Sequence, residues 1–158
     1  MSSKNQSGVF TNQDVIESNQ RLLNAIASGD FATYQDLTAS DITAIEPESK
    51  GYPVHGVHFH KYYFDLYAHP KMIKRSQLEN QQPIITNVIS MSNPHVRWLG
   101  GGCCSDGCGE GTAAVISYVR LDQTMCEGDD GPVTKTMSET RVWENRDGKL
   151  INVHFHKS

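Results

Sequence analysis

The strongest constraint on this chain is a change of period along it. Up to about residue 70 the apolar residues return every third or fourth position, the spacing of a helix face. From Ile84 onward they alternate, the spacing of strands half-buried in a sheet. In the first part Thr11 is placed to cap a helix, Asp14 supplies an acid to its first turn, and Val15, Ile16, Leu22, Leu23 and Ile26 form one apolar stripe. Gly29 ends that helix, and Asp30 caps a short second one carrying Phe31, Tyr34 and Leu37. A short strand, Ile42 to Glu46, leads into the loop Pro47 to Pro53. A third helix is expected from about Gly56, with Phe59, Tyr62, Tyr63, Leu66 and Tyr67 at helical spacing and Pro70 as its stop.

In the second part, Ile84 to Ser92 and His95 to Leu99 are strands on either side of Pro94. Thr112 to Met125 places Ile116, Tyr118 and Arg120 on one face and Val115, Val119 and Leu121 on the other. Asp129-Asp130-Gly131-Pro132 and Arg146-Asp147-Gly148 are turn sequences bounding a strand from Val133 to Glu144, which leaves Leu150 to Lys157 as the last. Helices first and a strand meander afterwards define an α+β plan. The expected form is a cone: a strongly curved antiparallel sheet wrapped around the long first helix, with two shorter helices, enclosing a cavity suited to a small ligand. One domain is expected over residues 11–158, behind a polar, disordered lead-in of residues 1–10.

Composition narrows the classes of function. With 158 residues the chain can build a single core without staples. A formal net charge of −4 argues against a nucleic-acid binder, whose footprint is a basic face. No apolar run approaches the ~20 residues of a membrane span, and Met1 to Gly8 lacks the apolar core of a signal peptide. A cytoplasmic protein with reduced thiols is therefore expected.

The placement of cations is the most informative chemical feature. Arg120 shares a strand face with Ile116 and Tyr118, Arg141 with Met137 and Trp143, and Lys157 with Ile151, Val153 and Phe155. A cation at the end of an apolar face is costly to bury unless it is paired. Two readings follow. Either the three line a cavity that binds an anion such as a carboxylate, for which the arginine fork is suited, or they pair with Glu46, Glu48 or Glu139 or lie exposed at an interface. His60 is expected to point inward beside Tyr63 and Tyr67, and Glu46, His60 and Asp65 are the acids and bases near that cavity. His154 and His156 have a metal-ligand spacing but no local third ligand, and His58 and His60 face different ways. The segment Gly100 to Gly111 holds Cys103, Cys104 and Cys108. Its glycine content describes a flexible hairpin loop, and adjacent thiols are poorly placed around one tetrahedral ion. No metal, no cofactor and no nucleophile elbow or phosphate loop is expected.

Several runs resemble one family. Leu22-Leu23-Asn24-Ala25-Ile26-Ala27-Ser28-Gly29-Asp30-Phe31-Ala32-Thr33-Tyr34, Thr43-Ala44-Ile45-Glu46-Pro47-Glu48, Phe59-His60-Lys61-Tyr62-Tyr63-Phe64 and Asn93-Pro94-His95 are similar to successive parts of the association (hub) domain of calcium/calmodulin-dependent protein kinase II. So are Tyr118-Val119-Arg120, Glu139-Thr140-Arg141-Val142-Trp143, Arg146-Asp147-Gly148-Lys149 and Val153-His154-Phe155-His156-Lys157-Ser158. The resemblance implies the nuclear-transport-factor-like or SnoaL-like cone. It also implies a non-catalytic scaffold that assembles with itself into large two-layered rings, a dodecamer or larger, which in the kinase display catalytic domains. It places the family's cavity arginines at Arg120 and Arg141, with Lys157 in place of a third, its cavity histidine at His60, and its cavity tryptophan near Tyr67. Loop 100–111 departs from the family, in which a much shorter turn joins those strands. No kinase domain and no calmodulin-binding segment is read here, so the expectation is an excised hub or a free-standing relative. The alternative is a SnoaL-like small-molecule binder or an isomerase, dehydratase or cyclase using His60 or Asp65 as base.

Overall fold

In a computed structural model of the protein the structure describes residues 9–68, 84–100, 112–126, 128 and 130–158, without the side chains of residues 67, 68 and 84–86. The expectations for Met1 to Gly8, Pro70, Cys103, Cys104, Cys108 and Asp129 lie outside the described residues.

Helix α1 (Asn12–Ser28) begins as its sequence dictates. Thr11 Oγ1 accepts from the backbone N–H of Asp14, while the Asp14 carboxylate accepts from the Thr11 N–H at 2.7 Å, a reciprocal capping box. Phe10 and Val15 occupy the two positions of a hydrophobic staple and are both buried in the core, so Phe10 belongs to the folded unit rather than to the lead-in. Gly29 closes the helix at φ 70°, a left-handed conformation that glycine adopts without strain. The buried face carries Val15, Leu22, Leu23 and Ala25, and burying a leucine is worth ~1.5–3 kcal/mol. It also carries Asn19, a polar residue inside the apolar stripe, whose Oδ1 accepts from Trp143 Nε1 at 3.2 Å.

Helix α2 (Phe31–Asp36) is capped by Asp30, whose Oδ1 accepts from the Thr33 N–H. Strand β1 (Thr38–Ile45) follows at once. It starts four residues earlier than the expected Ile42, because Thr38 and Ala39 are buried too and continue the strand back to the helix. A single 3-10 turn (Pro47–Ser49) and a two-residue strand β2 (Val54–His55) lead to α3 (Val57–Ala68).

The second half consists of β3 (Ile84–Leu99), β4 (Ala113–Cys126), β5 (Val133–Arg146) and β6 (Lys149–Lys157). The two strands expected around Pro94 are one strand with an irregularity between Ser92 and His95, where Asn93 takes φ 51°. Asp147 (φ 52°) and Gly148 (φ 77°) form the tight turn joining β5 to β6. Among the described residues the sheet has six strands in the order β2-β1-β6-β5-β4-β3. One expectation needs correction here. The sheet is mixed, because β1 pairs with β6 in parallel, Ala44 opposite Phe155 and Ile45 opposite His156. A meander that starts from β3 brings β6 back along β1 in the same direction, which no local pattern encodes. Helix α1 packs across β3 and β4, and the core fills the space between them with Trp143 and Ile116 fully buried.

Candidate functional site

The inner faces of β4, β5 and β6 set the site. Register places Tyr118 opposite Glu139 and Glu139 opposite Lys157, in one row across three strands. The next row runs Ile116, Arg141, Phe155 and Ala44, and the third Ala114, Trp143 and Asn152. Along these strands the row of Ala114 and Trp143 thus gives way to the charged row of Glu139 and Lys157.

A β-bulge decides which residues of β6 take part. Val142 pairs with His154 but Trp143 pairs with Asn152, so Val153 is the extra residue and the alternation reverses there. The face of Phe155 and Lys157 therefore continues with Asn152 and Leu150, both buried, and not with Val153 and Ile151 as the plain alternation predicts.

Arg120, Arg141 and Lys157 lie on this inner surface, and each has carboxylate partners. Glu139 is the hub. Its Oε1 accepts from Tyr118 Oη at 2.6 Å and from Arg141 Nε at 2.5 Å, and its Oε2 from Arg120 Nη1 at 3.3 Å. Arg120 also forks onto Asp122, with Nε and Nη2 donating to the two oxygens at 2.6 and 3.0 Å. Arg141 is 1% exposed; its Nη1 donates to Asn152 Oδ1 at 2.9 Å and its guanidinium lies 4.4 Å from the Phe155 ring centroid. Asn152 uses its amide N–H groups on the Val142 and His154 carbonyls, which fixes its orientation toward Arg141. Lys157 Nζ reaches Glu48 Oε1 at 2.9 Å and Glu46 Oε2 at 3.6 Å. The pairing with Glu46, Glu48 and Glu139 raised from sequence is present in this geometry.

The charges set each other's protonation. Burial pushes the Glu139 carboxyl up, but Arg141 and Arg120 outweigh it and hold it below the ordinary carboxylate value. Burial works against the Arg141 charge, yet Glu139 keeps that guanidinium more firmly protonated than usual. Burial pushes the Tyr34 hydroxyl up to about 12 and raises that of Tyr118 as well, so both phenols are neutral donors near pH 7.

His60 points inward from α3. Its ring packs against Tyr34 (5.8 Å between centroids) and Phe155 (5.3 Å), and its Nε2 lies 3.6 Å from Glu46 Oε1. At that distance the pair is an electrostatic contact rather than a hydrogen bond. Burial raises the Glu46 pKa, but His60 and Lys157 outweigh it and hold the carboxyl lowered. His60 Nδ1 and Nε2, Glu46 Oε1 and Thr38 Oγ1 are buried without a hydrogen-bond partner among the described residues. The side chain of Tyr67 lies outside the described residues.

Other candidates fall elsewhere. Asp65 is not part of the inner surface: it is exposed on α3 and takes both of its hydrogen bonds from Lys61, at 2.8 and 2.6 Å. His58 is exposed while His60 is buried, as their helical spacing requires. His154 Nδ1 sits 2.7 Å from Thr43 Oγ1. Among the described residues no three His, Cys, Asp or Glu side chains are arranged to hold a metal ion. Sequence reasoning missed Asp122, Asn152 and Asn19. Asp122 had a usable signal, since it lies two positions beyond Arg120 on the same face, whereas Asn152 was hidden by the bulge.

Comparison with known proteins identifies this arrangement. The family described as calcium/calmodulin dependent protein kinase II association domain matches residues 11–158. The delta subunit of rabbit (Oryctolagus cuniculus) calcium/calmodulin-dependent protein kinase type II is 38% identical over 146 residues, covering 92% of this chain and 23% of that protein. The chain thus spans about a quarter of that curated relative. A solved CaMKII hub homology domain from Chlamydomonas reinhardtii is 38% identical with a TM-score of 0.72, over 92% of this chain and 95% of that one. An NTF2-like protein of Cytophaga hutchinsonii, only 17% identical, shares the fold with a TM-score of 0.64 over 94% of this chain and 98% of its own. Sequence, family match and architecture agree: the chain belongs to the calcium/calmodulin-dependent protein kinase II association domain family, built on the NTF2-like fold.

Proposed function

We propose that the folded unit is a non-catalytic oligomerisation scaffold that assembles with itself into large rings, two layers stacked, of twelve or more copies, in the cytoplasm. The observation that carries this reading, beside the family, is the face of the sheet turned away from α1. Val88, Leu99 and Val119 stand 47%, 44% and 37% exposed there on the adjacent strands β3 and β4. Val115, Leu121 and Val142 extend the same face half-buried. These apolar side chains stand among Ser90, Ser92, Ser117 and Arg97 on that face, and apolar surface left outside a filled core favours a contact with another chain. A ring requires that contact to be heterologous and repeating. Light scattering at micromolar protomer tests it: the wild type is expected to scatter as one large species, and Val119→Glu as smaller ones with unchanged circular dichroism. A wild-type monomer or simple dimer would overturn the scaffold reading. Kinase domains, in the same chain or supplied in trans, are the partners such a hub would display.

The polar cluster is proposed as a seat for a small carboxylate, on Arg120, Arg141 and Lys157 with His60 and Tyr67 beside them. The entry proposed is beside Lys157, itself 10% exposed at the side chain, where its nearer partner Glu48 is 42% exposed and able to yield to a guest. Calorimetry with short carboxylates tests this, and unchanged binding after Arg141→Ala would remove the proposed seat. The enzyme alternative now rests on His60 with Glu46 alone. It is supported only if a turnover screen finds an activity that His60→Ala abolishes while assembly persists.

A further inference from the structure

The sheet face proposed above to meet another copy also carries most of the chain's histidine. One row of side chains crosses all six strands there: Arg97, Val115, Val142, His154, Thr43 and His55. The row beside it runs His95, Ser117, Thr140, His156 and Ile45. Four of the seven histidines in the sequence thus stand in two adjacent rows, together with Arg97 and without a carboxylate. Val115 and Val142 belong to the apolar surface of this face, so the histidines are continuous with it. His55, His95 and His156 are exposed and His154 is half-buried, so water reaches each of them in a single protomer. Imidazole is the side chain whose charge changes between about pH 5 and 8.

We propose that protonation of these four histidines breaks the contact between copies on this face, so that mild acid takes the assembly apart while each protomer stays folded. The switch rests on the self-assembly proposed above. In a single protomer an imidazolium on this face keeps its water. Against a second copy it loses that water and meets other cations, a penalty relieved by separation. The assembled form therefore binds fewer protons than the free protomer. Linkage then fixes the sign: assembly is unaffected above the imidazole range and weakens as pH falls through it. The groups around the histidines come from every strand of the face. His154 Nδ1 lies 2.7 Å from Thr43 Oγ1 of β1, a hydroxyl that can donate to the neutral ring or accept from the charged one and so favours neither. Burial and the neighbouring His156 lower the His154 pKa, which keeps that ring uncharged near neutral pH. Arg97 of β3 adds to the repulsion. Glu144 of β5 and Asp41 of β1 flank the rows, the first engaged by Arg146 at 2.8 Å and the second exposed two positions before Thr43. Neither stands opposite a histidine in the register.

Sedimentation velocity of the wild-type protein at one protomer concentration and constant ionic strength, from about pH 8 to about pH 5, reads the switch. Circular dichroism at each pH reads the fold. The expected result is one large species above about pH 7 and smaller species near about pH 5.5, with unchanged circular dichroism and recovery on return to neutral pH. The dissociation constant of the contact should rise by up to about tenfold per pH unit for each proton taken up. The fourfold variant His55→Gln, His95→Gln, His154→Gln, His156→Gln should assemble at neutral pH and remain assembled at about pH 5.5. Should it not assemble, His156→Lys decides: dissociation already at neutral pH supports the switch, and wild-type behaviour across the range overturns it. A wild type that stays assembled throughout overturns the switch and leaves the scaffold intact. So does a loss of assembly that coincides with a loss of circular dichroism, which is unfolding. Acid dissociation abolished by His60→Gln but kept in the fourfold variant places the trigger on the inner face and overturns the assignment. A wild-type monomer or dimer at every pH overturns the scaffold and the switch together.

Discussion

Replacing Glu139 with glutamine removes one charge and almost no volume, at a position 2% exposed. The carboxylate accepts from Tyr118, Arg120 and Arg141, and the last of these is itself 1% exposed. Losing the charge leaves the Arg141 guanidinium in the interior with only neutral partners, the Tyr118 hydroxyl, the amide oxygen of Asn152 and the face of Phe155. Breaking a buried pair by removing one partner costs about 3–5 kcal/mol, and a single hydrogen bond to a charged group about 1.5–3 kcal/mol. These describe the same contacts and are not summed, so Glu139→Gln is expected to cost about 3–5 kcal/mol. Urea unfolding at one fixed protomer concentration measures it, because an assembling protein's stability depends on that concentration. The double substitution Glu139→Gln with Arg141→Met should recover part of the loss, since the stranded charge is then gone. A loss below about 1 kcal/mol, or strict additivity in the double variant, would refute the placement of Glu139 as the counter-charge for both arginines.

Glu139 and Glu46 both have folded-state pKa values lowered from their ordinary ones. Their contribution to stability is therefore complete above the unfolded carboxylate value of about 4.3 and lost as pH falls through the lower folded values. The melting temperature should fall steeply below about pH 4, and a profile flat to pH 3 would contradict the pairing. Thr11→Ala deletes half of the capping box and should cost about 1 kcal/mol in the same urea assay. Gly29→Ala meets open space but a φ of 70°, so its expected loss of about 1 kcal/mol comes from backbone strain alone. Asn152→Leu should destabilise by about 2–4 kcal/mol, because it strands the Val142 and His154 carbonyls and removes an acceptor from Arg141.

Local chemistry was legible wherever one residue determines one feature. Thr11 with Asp14, Gly29, Asp30 and Asp147-Gly148 act within three or four residues, and each appears in the structure at its expected place. The even-numbered inner face of β4 was legible too, since Ile116, Tyr118 and Arg120 are all buried in an uninterrupted strand. What was hidden depends on partners distant in sequence. The parallel pairing of β1 with β6 joins residues more than a hundred positions apart. The bulge at Val153 reverses an alternation that looks unbroken in the string Leu150-Ile151-Asn152-Val153. The pairing of Lys157 required Glu46 and Glu48 to be brought beside it, which the turn after β1 does. Asp65 failed as an inward residue because α3 buries Val57, His60 and Phe64 and turns Lys61 and Asp65 to solvent.

Native mass spectrometry at micromolar protomer tests the central claim most directly, because mass alone separates a hub from a solitary NTF2-like domain. With a protomer of 17.6 kDa, two stacked rings predict a dominant species of about 210 kDa or more, in even multiples of the protomer. A distribution confined to the monomer and dimer would contradict the scaffold account.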